Sequence, residues 1–113
     1  MMPSKLHAAF NSEMELARSY FSAHDYDLCF RHLERAHILG QRSYIPHVKS
    51  HLWMLRVGIQ QRNLKEIVGQ CVRILGSAGS LIGVVPIGNT GGSNVSAIKP
   101  MPIPADLARY FDE

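Results

Sequence analysis

Four of the six histidines fall within residues 32–51, HLERAHILGQRSYIPHVKSH. Imidazole changes charge near neutral pH and, when neutral, is the commonest side-chain ligand of transition metals. His47 and His51 are four residues apart, the spacing by which one helix face offers two nitrogens to one ion. Glu34 and His37 are three apart, separated by about 60° on a helical wheel, so they too can point at one object. Imidazole and carboxylate together suit Zn, Fe, Co, Ni or Cu(II), whereas Ca and Mg prefer shells of oxygen. If three protein groups bind and one position stays open, hydrolytic chemistry becomes available, with Glu34 as ligand or as base.

Other polar residues carry less. His32 faces away from the apolar side of its helix and is expected in solvent, and His24 sits in a turn, where capping suits it better than ligation. Cys29 and Cys71 each stand among apolar residues at helical spacing and are expected as small buried hydrophobes, not as ligands or a disulfide. Gly88 to Gly92, GNTGG, could cradle an anion, but it lacks the Lys-Ser/Thr of a phosphate loop and is explained by turn chemistry. Trp53 lies off the histidine face and is expected against a neighbouring surface or at a partner contact.

The elements that must position these groups are helices. Leu6, Phe10, Met14, Ala17 and Phe21 recur at helical spacing over 4–22, with Ser4 available as a cap. Tyr26, Cys29, Phe30, Leu33 and Ala36 form a second stripe over 25–39, closed by Gly40. Pro46 suits the first turn of a third helix, 45–61, with Val48, Leu52, Leu55 and Ile59 on one side. Asn63 can cap a fourth, 63–77, whose stripe is Leu64, Ile67, Val68, Cys71 and Leu75. Short turns make antiparallel neighbours of the four, which brings His37 and Glu34 level with His47 and His51. The first helix begins at the same end, so His7 is a fifth candidate ligand.

The two helical hairpins can be superposed at a constant offset of 38 residues, pairing Arg18 with Arg56 and Asp25 with Asn63. Their spacing is tetratricopeptide-like. Two such hairpins are fewer than a stable stack needs, so the tail over 78–113 is expected to close an exposed face. That tail has Gly, Asn, Ser and Pro in place of helical periodicity, with apolar anchors at Leu81, Ile82, Val84, Val85, Ile98 and Met101. It is expected as an ordered wrap with one short strand and a small helix from about Ala105. The expected whole is an all-α single domain over 1–113, an antiparallel four-helix array with an irregular C-terminal wrap.

At 113 residues, with 46% hydrophobic and 19% charged residues, the chain has the composition of a folded globule. Its net charge of +3 is spread along the sequence and forms no stripe that would track a phosphate backbone, so no nucleic-acid partner is expected. Between Arg42 and Ala105 seven basic residues face one acid, Glu66, a bias that attracts anions weakly. No segment has the length or composition of a signal peptide or a transmembrane helix, and no membrane partner is expected. Together with the free cysteines this points to a cytoplasmic protein.

The segments HLERAHILGQ, HVKSHLWML, GQCVRILG, VPIGNTGGSNVS and PMPIPADL resemble those of a small bacterial family labelled domain of unknown function 3703. The resemblance implies that the histidine segments and the GNTGGSNV and PMPIP segments belong to one unit, with the tail folded back on the bundle. It implies no cofactor and no activity, and it covers the first helix, with His7, least.

The expected function is a small cytoplasmic protein that holds one transition-metal ion (Zn, Fe, Cu, Ni or Co) through His37, His47 and His51, with Glu34 and His7 as auxiliary ligands. Desolvating several polar rings together is costly unless each finds a partner, and one ion supplies partners for all. The alternative is a tetratricopeptide-like interaction module that presents a groove to a peptide or pairs as a homodimer, its histidines serving as neutral core. A metal-free enzyme using His and Glu as acid and base is a third reading, with no substrate indicated.

Overall fold

Apolar residues at helical spacing, punctuated by Asp25, Ser43 and Asn63, produce four helices in the computed structural model, which describes residues 2–77, 86–96 and 98–111. These are α1 (Ser4–Ser22), α2 (Tyr26–Gly40), α3 (Tyr44–Gln60) and α4 (Leu64–Gly76), followed by a short α5 (Ala105–Ala108) that runs into a 3-10 turn, Arg109–Phe111. Each long helix packs against its neighbour in the chain, giving an all-helical array of hairpins. The core comprises Leu6, Phe10, Met14 and Ala17 of α1, Cys29, Leu33, Ala36, Ile38 and Leu39 of α2, and Met54 and Val57 of α3, with Leu107 of α5 added from the tail.

The two hairpin turns are copies of one another at the 38-residue offset. His24 and Arg62 both take left-handed backbone, at φ 61° and 53°. Asp25 and Asn63 then cap the next helix, accepting from the backbone N–H of Leu28 and Glu66 at 3.2 and 3.1 Å. Even the closing backbone bonds correspond, Asp25 N–H to Tyr20 O and Asn63 N–H to Gly58 O, each at 2.9 Å. At the start of α1, by contrast, Pro3 occupies the cap position and Ser4 is already helical, so the expected serine cap does not form.

The α2–α3 junction is held by close approach. A Cβ on Gly40 would lie 2.8 Å from the Pro46 side chain and 2.9 Å from the Phe10 ring, so the glycine there makes room for packing. Its neighbours His37, Ile38, Leu39 and Gln41 are all buried. A helix end buried on every side needs cover from elsewhere, and the tail supplies it. Gln41 donates to Pro86 O at 3.0 Å and accepts from Gly88 N–H at 2.9 Å. Arg35 of α2 binds Asp106 of α5, and its Nε also lies 3.1 Å from Glu13 of α1.

Helix α4 departs from its periodicity. Leu64, Val68, Val72 and Leu75 are 54–84% exposed and Cys71 is exposed as well, while Glu66, Gln70 and Ser77 on the opposite face are buried. The helix thus turns its polar face inward. The reason lies in what it meets there: ring nitrogens from α3 and backbone groups of the tail, which need hydrogen-bond partners that leucine and valine cannot provide. On α3 the histidine face is the buried one, with His47, Ser50, His51, Met54, Val57 and Gly58, while Leu52 and Ile59 are exposed.

In the tail no strand occurs among the described residues, where turns and extended chain take its place. Ile98 is 83% exposed and anchors nothing, Met101 is half-buried, and the expected anchors Leu81, Ile82, Val84 and Val85 lie outside the described residues. Trp53 is half-buried, edge-on to Phe21 at 5.4 Å between ring centroids and covered by the Arg56 guanidinium. No helix among the described residues is long and apolar enough to cross a membrane.

Candidate metal centre

α2 delivers His37 from its last turn, and α3 delivers His47 and His51 from its first turns, so the three rings meet where the two helices are joined. Ring centroids are 4.9 Å apart for His37 and His47, 4.6 Å for His37 and His51, and 4.9 Å for His47 and His51. One ring nitrogen from each can be chosen so that all lie within 4.8 Å of one another, close enough to hold a metal ion, and all three residues are buried. Nitrogens bound at about 2.1 Å to one tetrahedral ion stand roughly 3.4 Å apart. Modest side-chain rotation closes that difference.

The tautomers of two rings follow from their partners. The Nδ1–H of His37 donates to the carbonyl oxygen of Asn89 at 2.7 Å, since a carbonyl can only accept. That leaves the Nε2 of His37 as a lone pair. Gln70 decides His51 in the same way: its Nε2 donates to the Glu66 carboxylate at 2.6 Å and to Gly91 O at 2.9 Å, so the oxygen of the amide must be the atom that faces His51. The Nδ1–H of His51 donates to that oxygen at 2.7 Å, and its Nε2 is a lone pair as well. Metal-bound histidines are oriented by such outer partners. The Nδ1 of His47 is buried and has no hydrogen-bond partner among the described residues.

Burial keeps the rings neutral. Loss of solvent pushes His47 down to about 4, and the same effect brings His51 to about 4, against the pull of its bond to Gln70. His37 is lowered well below its ordinary range, first by burial and then by the two neighbouring imidazoles and Arg73. A neutral imidazole is the form that binds metal.

Helix α4 and the tail complete the surroundings. Glu66, which holds Gln70, also accepts from Ser93 through the backbone N–H at 3.2 Å and the hydroxyl at 2.9 Å. Asn89 shapes the loop that covers His37: its Nδ2 donates to Ser96 O and Lys99 O, and its Oδ1 accepts from Gly91 N–H. Gly91 is at φ +85°, and a Cβ on it would stand 2.7–2.9 Å from the His37 ring. The glycines of GNTGG therefore serve a tight turn, and that turn lies directly against the histidine group. A cavity of about 270 Å³ opens on the three rings, walled in part by Val72, Arg73, Gly76 and Pro86.

Glu34 and His7 do not join the three. Glu34 lines a separate polar cleft with Arg31, Gln61 and Glu66, where burial raises its carboxyl against the opposing pull of Arg31. Glu34 faces that cleft and is not part of the group formed by the three rings. His7 is exposed and lines a surface depression with Phe10, Ser43 and Lys49. It is at the expected end of the bundle, but on the outside. His32 is also less solvated than expected, because its Nδ1–H donates to Glu13 at 2.7 Å and its ring stacks on Tyr20. Gln70 and Arg73 were not among the sequence candidates, because they lie opposite an apolar stripe, which reads as the solvent side. Asn89 and Gly91 belong to GNTGG, whose sequence reads as turn chemistry without showing what the turn covers.

The family model described as Protein of unknown function (DUF3703) matches residues 4–111, nearly the whole chain, with all three histidines and both tail segments. The chain belongs to this family. No curated protein and no solved structure matches it at a significant level. The DUF3703 match spans α1 as well as the histidine segments and the tail, in keeping with the tail's contacts on α2 and α4.

Proposed function

We propose that this protein binds one transition-metal ion through His37, His47 and His51, with Asn89 and Gln70 as the outer groups that orient two of the ligands. The observation that carries this reading is the pairing of convergence with tautomer. Three buried rings meet within 4.8 Å, and the two whose protons can be placed both spend Nδ1–H on an oxygen and keep Nε2 free. One ion would engage these lone pairs together, and burial already favours the neutral form of the rings that binds metal. Imidazole donors suit Zn, Cu, Fe and Ni, and three neutral ligands beside a cavity leave a coordination position for a further group. The His37 end of α2 adds the negative end of a helix dipole, which favours a cation.

The test is elemental analysis of protein purified without an affinity tag, followed by metal titration of the stripped protein. One equivalent of metal is expected, and His47→Ala combined with His51→Ala abolishes uptake while helical circular dichroism persists. Absence of metal on purification together with absence of uptake on titration counts against the proposal.

One observation favours a second reading, a helical interaction module that pairs with a second copy of the chain: the solvent-facing apolar stripe Leu64, Val68, Val72 and Leu75 on α4. Sedimentation would then show a metal-independent dimer that Leu75→Lys disperses.

A further inference from the structure

We infer that the cavity beside the three histidines takes a small carboxylate with a short apolar body, which completes the coordination of the ion and is neutralised by Arg73. This inference rests on the metal reading of the site and adds a ligand class to it.

Charge is the first argument. The lining of the cavity among the described residues includes the three histidines and Arg73 and no Asp or Glu. The histidines are neutral, so a divalent ion and the guanidinium together place three positive charges around one largely enclosed space. The nearest carboxylate among the hydrogen-bonded groups, Glu66, is engaged by Gln70 and Ser93 and reaches His51 only through Gln70. Uncompensated buried charge is costly, and an anion taken from solution is the direct remedy.

Arg73 is built to receive it. Each terminal nitrogen spends one N–H, one on Gly69 O at 3.1 Å and the other on Val95 O at 2.8 Å, which fixes the guanidinium against its own helix and the tail. Its Nε is buried and has no hydrogen-bond partner among the described residues. Arg73 lines the cavity with two of its five N–H groups spent, and a charge-assisted bond from the guanidinium to a carboxylate oxygen would engage a cation that has no carboxylate partner there. The second oxygen of the same carboxylate is then available to the ion.

Shape selects among anions. The cavity measures about 270 Å³, with Val72, Pro86 and the open flank of Gly76 among its walls. The volume admits a propionate-sized body with room to spare, and the apolar walls favour a ligand with a hydrocarbon part over a fully hydrated oxyanion. A Cβ on Gly76 would meet no atom of the described residues within 4 Å, so a larger side chain is accommodated at this wall.

The experiment uses the full chain loaded with Co(II), whose visible spectrum reports its coordination. Propionate and isobutyrate are titrated against propionamide, an uncharged isostere, and against inorganic phosphate. Saturable spectral change is expected with the two carboxylates and none with the amide or phosphate. Arg73→Gln is expected to weaken propionate at least roughly tenfold, the loss of one charge-assisted bond, with Co(II) stoichiometry kept. Gly76→Phe, which adds a ring at the cavity wall, is expected to weaken the carboxylate response and keep the metal, and it serves if the arginine variant does not fold. Stoichiometric Co(II) with a spectrum unmoved by carboxylate overturns this inference alone, as does an equal response to phosphate or unchanged propionate binding by Gly76→Phe. Failure to take up Co(II) overturns it together with the metal reading.

Discussion

His51 donates its Nδ1–H to the amide oxygen of Gln70, nineteen residues further on, at 2.7 Å, and the Gln70 amide is held in turn by Glu66 and Gly91. This chain ties α3, α4 and the tail together at one imidazole. It also explains why α4 shows its polar face to the interior.

Gln70→Ala removes the outer partner of His51. Such groups are worth about 10–100-fold in metal affinity, and that is the loss expected here, read by competition against a chromophoric chelator. The substitution also leaves the buried His51 Nδ1–H and Gly91 O without the partner that Gln70 supplied, so stability should fall by about 1–3 kcal/mol in urea unfolding. Undiminished affinity would show that the orientation of His51 is set elsewhere.

The metal-free protein should lose stability in mild acid. Folding holds His47 and His51 at about 4, whereas free imidazole titrates near 6.5. Their contribution is complete above about pH 6.5 and is lost as pH falls toward 4, because across that window the unfolded chain binds protons that the folded chain refuses. Each ring contributes on the order of 3 kcal/mol to that loss. Urea midpoints of stripped protein measured across the window should drop steeply, and His47→Gln should flatten the slope. A midpoint independent of pH would contradict the burial of these rings.

Gly91 and Gly76 should respond oppositely to alanine. At Gly91 the backbone is at φ +85° and a Cβ would press on the His37 ring at 2.7 Å, so Gly91→Ala should displace His37, weaken metal binding and destabilise by more than about 1 kcal/mol. At Gly76 nothing stands within 4 Å and the residue is helical, so Gly76→Ala should be neutral or stabilising by about 0.4–1 kcal/mol. Thermal melts and metal titration of the pair give the comparison.

The orientation of α4 is checked by two leucines. Leu75 is 84% exposed, and Leu75→Ser should change stability by no more than about 0.5 kcal/mol. Leu33 is fully buried, and Leu33→Ala should cost about 2–5 kcal/mol. Similar costs at the two positions would mean that the apolar stripe of α4 is covered.

Helical phase is a local property, set by residues three and four apart, and it could therefore be read directly. It determined the four helices, the cap at Asn63, the matching turns, and the aim of His37, His47 and His51 toward one another. The same local signal misled at α4, where the apolar stripe marks the exposed face, because periodicity reports which side is greasy and not what the other side must satisfy. Glu34 is within reach of His37 on the wheel, and only the packing of the helices decides that it lines the cleft with Arg31, Gln61 and Glu66 instead.

What the chain alone determined is thus a helical array bearing three histidines at one junction. Only the tertiary structure decided which nitrogen of His37 and His51 is free, since the oxygens that hold their protons lie 52 and 19 residues away. It likewise decided that Arg73 faces the cavity and that the polar side of α4 is the inner one. Hydrogen-bond partners of buried groups are chosen by what the folded chain brings within 3 Å, and sequence spacing carries no record of that choice.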